Sequence, residues 1–267
     1  MNQITCWFVL ILSFVFSTAH AGQVAIVIDD IGYKQSDRKL LELSGQLTYA
    51  VLPHTPLGYA YAKHASNNHR DVIIHLPMQA NTHNELLGPG ALTQSMSKQL
   101  YQRTLLAALE DIPFAVGVNN HMGSLLTQQE KPMGWTMELL RQHNMFFLDS
   151  KTTKYSKIEK VAKEYGVSSL NRNIFLDHHR NKIAIERQFN KLIKIAKQHG
   201  SAIAIGHPYP ETYQVLKSQL KRLEKEGIEL VPLSTLLKPT TVPVFLVKDD
   251  EADILKAPAL ATKDATH

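Results

Sequence analysis

Short apolar runs recur along this chain, and six of them end on an acid or a histidine. Residues 24–28 (VAIVI) stop at Asp29-Asp30, and residues 72–74 (VII) stop at His75. Residues 114–118 (FAVGV) lead through Asn119-Asn120 to His121. Residues 145–148 stop at Asp149, 174–176 at Asp177 and 202–206 at His207. A short apolar run bounded by polar residues reads as a buried strand of a parallel sheet. The pattern predicts strands over 23–28, 47–52, 72–75, 114–118, 145–149, 174–176, 202–206 and 229–231.

Between these runs the apolar period changes from two to that of a helix. Residues 97–110, 132–143, 182–199 and 212–226 each carry an apolar stripe at helical spacing. Gly200 and Gly227 follow the last two stripes, where a helix is expected to stop. Repeated βα units imply a parallel sheet covered by helices. With titratable groups at so many strand ends, an α/β barrel is the expected architecture, because its active site is built at the C-terminal rim. No Gly-x-Gly-x-x-Gly or P-loop pattern occurs, so nucleotide binding has no support in the sequence.

The two ends of the chain differ in texture from the middle. Residues 4–16 are almost wholly apolar and Ala19-His20-Ala21 is a small-x-small cleavage site, so residues 1–21 are expected to be a signal peptide. The apolar stretch is shorter than the ~20 residues that span a bilayer. Cys6, the only cysteine, lies inside it, which leaves a disulfide-free mature chain suited to an oxidising periplasm. Residues 22–238 form one expected barrel domain. Residues 239–267, rich in Thr, Ala, Pro, Asp and Lys, form an expected tail, disordered in part. The formal net charge is +5, with Lys and Arg interleaved with Glu on the predicted helices, which disfavours nucleic-acid binding. It leaves room for weak attraction to an anionic envelope polymer.

The strand ends hold the candidate chemistry. Adjacent carboxylates such as Asp29 and Asp30 point in different directions on a strand, so one can bind a metal while the other accepts a proton; the alternative is a loop or helix-cap pair. His75 reads either as a neutral imidazole ligand or as a core histidine satisfied by a carbonyl. Asn119, Asn120 and His121 form the densest polar cluster, with the amides placed to orient a neighbouring imidazole; the alternative is a hydrogen-bonded turn. Asp149 and Ser150 read as support for a ligand histidine or as a helix cap. His207 is placed for a second catalytic group or is structural. His178-His179, flanked by Asp177, Arg180 and Asn181, reads as a solvated loop.

In this order, VAIVIDDIG, HLPM, GVNNHMGS, FFLDSKT and AIGHPYPET closely resemble the divergent polysaccharide deacetylase family, sometimes called YibQ-like. That family is similar to NodB-type carbohydrate esterases, which implies a distorted (β/α)7-type barrel. Carried across residue by residue, the resemblance implies Asp29 as base, Asp30 as metal ligand and His207 as acid, with His75 in the place of the first metal histidine. In those esterases a second histidine follows within a few residues; here Leu76, Pro77, Met78 and Gln79 follow, and His121 is the expected substitute. The Arg-Pro-Pro-Tyr loop of those enzymes is missing. The expectation is a periplasmic deacetylase with a divalent metal, zinc by preference, acting on an N- or O-acylated envelope glycan. The runner-up is a catalytically reduced sugar-binding or envelope-assembly protein of the same fold. No transmembrane span is expected in the mature chain.

Overall fold

The structure, a computed structural model, describes residues 22–237. The expected signal peptide, with Cys6, and the expected tail lie outside the described residues. Within the described residues strands and helices alternate, save where one short strand follows another directly. It runs β1 (Gly22–Ile31), α1 (Arg38–Leu41), β2 (Thr48–Val51), α2 (Gly58–Asn67), β3 (Val72–Met78), α3 (Lys98–Asp111), β4 (Gly117–Met122) and α4 (Glu130–Gln142). Then follow β5 (Phe146–Asp149), α5 (Ile158–Tyr165), β6 (Ser169–Asn171), β7 (Ile174–Phe175), α6 (Lys182–His199), β8 (Ser201–Gly206), α7 (Pro210–Lys225) and β9 (Ile228–Leu230). No helix among the described residues is long and apolar enough to cross a membrane.

Every ladder is parallel. The strand order is β6-β5-β4-β3-β2-β1-β8-β7, with β9 beside β1. The two ends of that order, β6 and β7, are consecutive in sequence and separated only by Arg172 and Asn173. The Arg172 N–H donates to the Asp149 carbonyl (3.0 Å) and the Asn173 N–H to the Ile203 carbonyl (2.9 Å). The sheet therefore curls into a distorted barrel whose seam is a stretch of chain, not a ladder.

Side-chain alternation sorts the apolar residues into two cores. Val24, Ile26 and Ile28 of β1 face the helices, with Ile74, Leu76, Phe147 and the apolar stripes of α3, α4 and α6. Ala25 and Val27, with Ala50, Ile73, Phe146, Leu148, Ile203 and Ile205, fill the barrel. Leu233 closes the floor, its N–H bonded to Thr48 Oγ1 at the start of β2. Gly117 makes room for the Phe146 ring, whose atoms lie 2.8–2.9 Å from where a Cβ would stand.

Two differences from the sequence reading matter. β4 begins at Gly117 and runs through the polar residues to Met122, not over 114–118, because its backbone pairs with β3 as far as Met78. A strand is held by its ladder, and amide side chains do not interrupt one. The helices α2 and α5 and the strand β6 lie where no element was expected. Residues 58–67 (GYAYAKHASN) carry too little apolar contrast to announce a helix, whereas Ile158, Val161 and Ala162 do stand at helical spacing in α5.

Candidate active site

The face that Ala25, Val27, Ile73, Leu148, Ile203 and Ile205 present to the barrel interior continues upward into polar residues. Two residues on from Val27 is Asp29; two on from Ile73 is His75; two on from Gly117 is Asn119, then His121. Ser150 follows Leu148 and His207 follows Ile205 in the same way. The floor is apolar, and the mouth is lined by groups that can carry charge. Register sets their neighbours: His75 pairs with Asn119 and Pro77 with His121. Ile28 pairs with Gly206, so Asp29 and His207 come next on adjoining strands.

Alternation alone would point Asp30 away from this mouth. It does not, because Asp30 has φ of 59°, and the β1–β2 register shifts between Ile28 and Ile31. Asp tolerates this left-handed conformation better than most residues, and the resulting bulge re-aims its side chain. Both carboxylates of the pair thereby face one cavity.

Asp30, His75 and His121 meet there, with one ligand atom from each lying within 4.8 Å of the others. Asp30 Oδ1 lies 3.1 Å from His75 Nε2 and 3.1 Å from His121 Nδ1, and the two ring nitrogens are 3.0 Å apart. Despite these short distances, Asp30 Oδ1 is buried with no hydrogen bond of acceptable geometry. Donor atoms 2.0–2.1 Å from a tetrahedral zinc are spaced about 3.3 Å apart, close to this triangle. One carboxylate and two imidazoles are a suitable donor set for a catalytic divalent metal with an open position.

Asn119 organises the surroundings. Its amide nitrogen donates to Asp29 Oδ1 (2.8 Å) and to Ser150 Oγ (3.2 Å). Its oxygen therefore faces His75 Nδ1 at 2.8 Å, which places the ring proton on Nδ1 and leaves the Nε2 lone pair directed to the triangle. His121 Nε2 lies 3.5 Å from the Leu86 carbonyl, leaving its Nδ1 for the same point. The other oxygen of Asp29, Oδ2, is 3.6 Å from His75 Nε2. Burial raises the Asp29 carboxyl above its usual range, and the charge of His75 offsets this only in part. Burial would raise Asp30 too, but His121 and His75 outweigh it and hold that carboxyl well below the usual range. His75 is itself raised, because Asp29 and Asp30 outweigh its burial.

His207 is held differently. Asp177 Oδ1 accepts its Nδ1–H at 2.8 Å, while Asp177 Oδ2 accepts the His207 backbone N–H (2.6 Å) and the Thr212 hydroxyl (2.7 Å). Burial opposes charge on the ring, but Asp177 prevails, with help from Asp30 and Asp29, and pushes His207 up to about 9. Its Nε2–H is then the proton free to be given. Asp177 was read in the sequence as part of a solvated loop; it is buried, because the chain folds it beneath His207 and Thr212.

Other expected residues are placed less centrally. Asp149 has the parity that faces away from the mouth; its partners are the N–H and ammonium of Lys151, not a ligand histidine. Ser150 contacts Asn119, and its N–H is held by Asn120 Oδ1 (2.9 Å). The amide nitrogen of Asn120 braces the Met122 carbonyl (2.7 Å), which makes Asn120 a clamp on the β4 turn. Arg172, given no role in the sequence reading, sits in the barrel seam. Its Nε donates to the Ser150 carbonyl (2.6 Å) and a terminal nitrogen to that of Lys151 (3.1 Å).

Residues 26–237 match the family model described as divergent polysaccharide deacetylase. The chain is 39% identical over 223 residues to the uncharacterized protein YibQ of Escherichia coli (strain K12), covering 83% of this chain and 69% of that one. It is 39% identical over 230 residues to an uncharacterized protein of Haemophilus influenzae, covering 83% of this chain and 81% of the other. Among solved structures, an uncharacterized protein of Agrobacterium tumefaciens C58 superposes with a TM-score of 0.78 at 20% identity, over 83% of this chain and 91% of that one. A CE4 family pseudoenzyme from Bacillus anthracis superposes with a TM-score of 0.50 at 11% identity, over 81% of this chain and 66% of that one. These two likenesses concern the fold.

Proposed function

From the fact that this chain belongs to the divergent polysaccharide deacetylase family, we propose that it is a metal-dependent deacetylase of an acylated envelope polysaccharide. The observation that carries the reading is the convergence of Asp30, His75 and His121 on one point, with Asp29 and His207 beside it on the adjoining strands β1 and β8. A divalent metal held by those three side chains, zinc being the preferred ion, would supply Lewis acidity to the acyl carbonyl and lower the pKa of a water to about 7.

The chain's own residues supply the rest. Asp29, fixed through Oδ1 by Asn119, keeps Oδ2 to accept a proton from the attacking water, and the burial that raises its carboxyl makes it a stronger base. The water oxygen bonds to the acyl carbon and the carbon–nitrogen or carbon–oxygen bond to the sugar breaks. His207, charged at neutral pH by its pairing with Asp177, gives its Nε2 proton to the departing amine or alcohol. The products are a carboxylic acid and a free amino or hydroxyl sugar, and both protons are accounted for.

The position of His121 supports the enzyme over the sugar-binding alternative, because it fills the ligand place left vacant after His75. The deciding experiment pairs two variants on acetylated amino-sugar oligomers. Asp30→Gly removes a ligand while tolerating the left-handed backbone, so bound zinc should fall sharply. Asp29→Asn should retain zinc and lose on the order of 10²–10⁴-fold in rate. If the zinc-loaded wild type releases no acyl group from any such oligomer, the binding-protein reading replaces this one.

A further inference from the structure

Charge is divided unevenly around the mouth. The loop over residues 150–157 carries Lys151, Lys154 and Lys157 and no acid. The segment 172–181 carries Arg172 and Arg180, and its only acid, Asp177, is buried against His207. Lys151 is already paired with Asp149 at 3.1 Å. Neither Arg172 nor Arg180 has a carboxylate within ion-pair distance among the described residues, as the pairs found there involve other cations.

Both guanidiniums are nevertheless held in place by aromatic rings. Arg172 lies 3.6 Å from the centroid of Phe175, and Arg180 lies 3.7 Å from that of Tyr209. Phe175 and Tyr209 each stack in turn on His207, with ring centroids 6.1 Å and 5.5 Å away. The result is one column: Arg172, Phe175, His207, Tyr209, Arg180. A guanidinium over a ring face can still direct N–H groups sideways to a carboxylate or phosphate. Arg172 has already given Nε and one terminal nitrogen to backbone carbonyls, which leaves its other terminal nitrogen for an anion. Arg172 is half-buried, its other contacts are two backbone carbonyls, and the charges of Asp149 and Asp29 reach it only from a distance. Arg180 is exposed, and with no carboxylate in contact with either guanidinium, an anion beside them would be favoured.

We infer that the Arg172–Phe175–His207–Tyr209–Arg180 column is a subsite for an anionic group, carboxylate or phosphate, borne by the glycan on the sugar whose amine or alcohol is released or on its immediate neighbour. The assignment of that sugar rests on the deacetylase reading, in which His207 protonates the leaving group. Each guanidinium is separated from His207 by a single ring, so the anion belongs to the sugar at that histidine or to its immediate neighbour. Neutral chitin-like oligomers would then be poor ligands, and Lys154 and Lys157, on the loop whose first two carbonyls Arg172 holds, would add attraction for the polyanion.

The test uses three tetrasaccharides: neutral N-acetylchitotetraose, one with alternating N-acetylmuramic acid (a carboxylate), and a 6-O-phosphorylated N-acetylchitotetraose. Calorimetric Kd and acetate release are measured with the purified zinc-loaded chain. The expected result is that at least one anionic oligomer binds on the order of tenfold tighter than the neutral one. Whichever of the two does so identifies the source of the charge. Arg180→Gln, at an exposed position, should abolish that preference. Lys221→Gln, which removes the same charge from a distant exposed site on α7, should retain it. Equal Kd values for all three oligomers, no binding at all, or a preference untouched by Arg180→Gln would overturn the subsite. An anionic preference in Kd with no acetate released from any oligomer leaves the subsite standing and removes the deacetylase reading. Acetate released at equal rates from all three does the reverse.

Discussion

Replacing Asp177 by Asn should discharge His207 at neutral pH. His207 ordinarily titrates near 6.5 and is pushed up to about 9 here. That difference of about 2.5 units corresponds to roughly 3 kcal/mol in favour of the imidazolium, an upper figure because the ring is partly open to water. In Asp177→Asn the amide oxygen is claimed by the two donors already on Oδ2, the His207 N–H and the Thr212 hydroxyl. The amide NH₂ then faces Nδ1 and cannot accept its proton, so charge on the ring is opposed by both burial and geometry. Imidazole NMR titration should give a His207 pKa near 9 in the wild type and at least about 1.5 units lower in the variant. The sign for stability follows. A pKa raised on folding stabilises fully below the unfolded value near 6.5, and the contribution is lost as pH rises through about 9. The urea midpoint of the wild type should therefore exceed that of Asp177→Asn most at pH 6, with the gap narrowing from about pH 6.5 and nearly closed above pH 9. A His207 pKa that moves by less than about half a unit would refute the pairing as the source of the charge.

Asn119→Ala removes the bond to Asp29 and the bond that orients His75, so zinc affinity measured by competition with a chelator should fall about 10–100-fold with the fold retained on circular dichroism. An unchanged affinity would mean that Asn119 does not set the ligand. Gly117→Ala pushes a methyl into the Phe146 ring at the barrel floor and should cost about 1–3 kcal/mol in denaturant unfolding; Phe146→Leu in the same chain should recover part of the loss. N-terminal sequencing of periplasmic material should begin at Gly22, and intact Met1 would refute the leader at residues 1–21.

What the sequence makes legible here is what depends on periodicity. The apolar runs ending at Asp29, His75, Asp149 and His207 lie in or against the strands they predicted, and two-residue alternation is enough to separate Asp29, His75, His121 and His207 from Asp149. The same rule misjudges Asp30, since strict alternation turns it outward; only its left-handed φ and the slip against β2 bring it to the histidines. A bulge has no apolar signature, although the Asp-Ile-Gly that follows permits the turn. Asp177 and Arg172 were missed for a different reason. Their roles depend on partners 30 and 22 residues away, His207 and Ser150, and on the seam that brings β6 and β7 to opposite ends of one strand order. A run of Asp-His-His-Arg-Asn has the composition of a solvated loop, and in fact His178, His179 and Arg180 are exposed. What separates Asp177 from them is closure of the barrel, which buries its carboxylate under β8 and the start of α7. The groups that would tune the proposed chemistry are thus the ones that only tertiary contact defines. Those that would carry it stand at strand ends, where the sequence shows their residue types directly, though not the turn of Asp30.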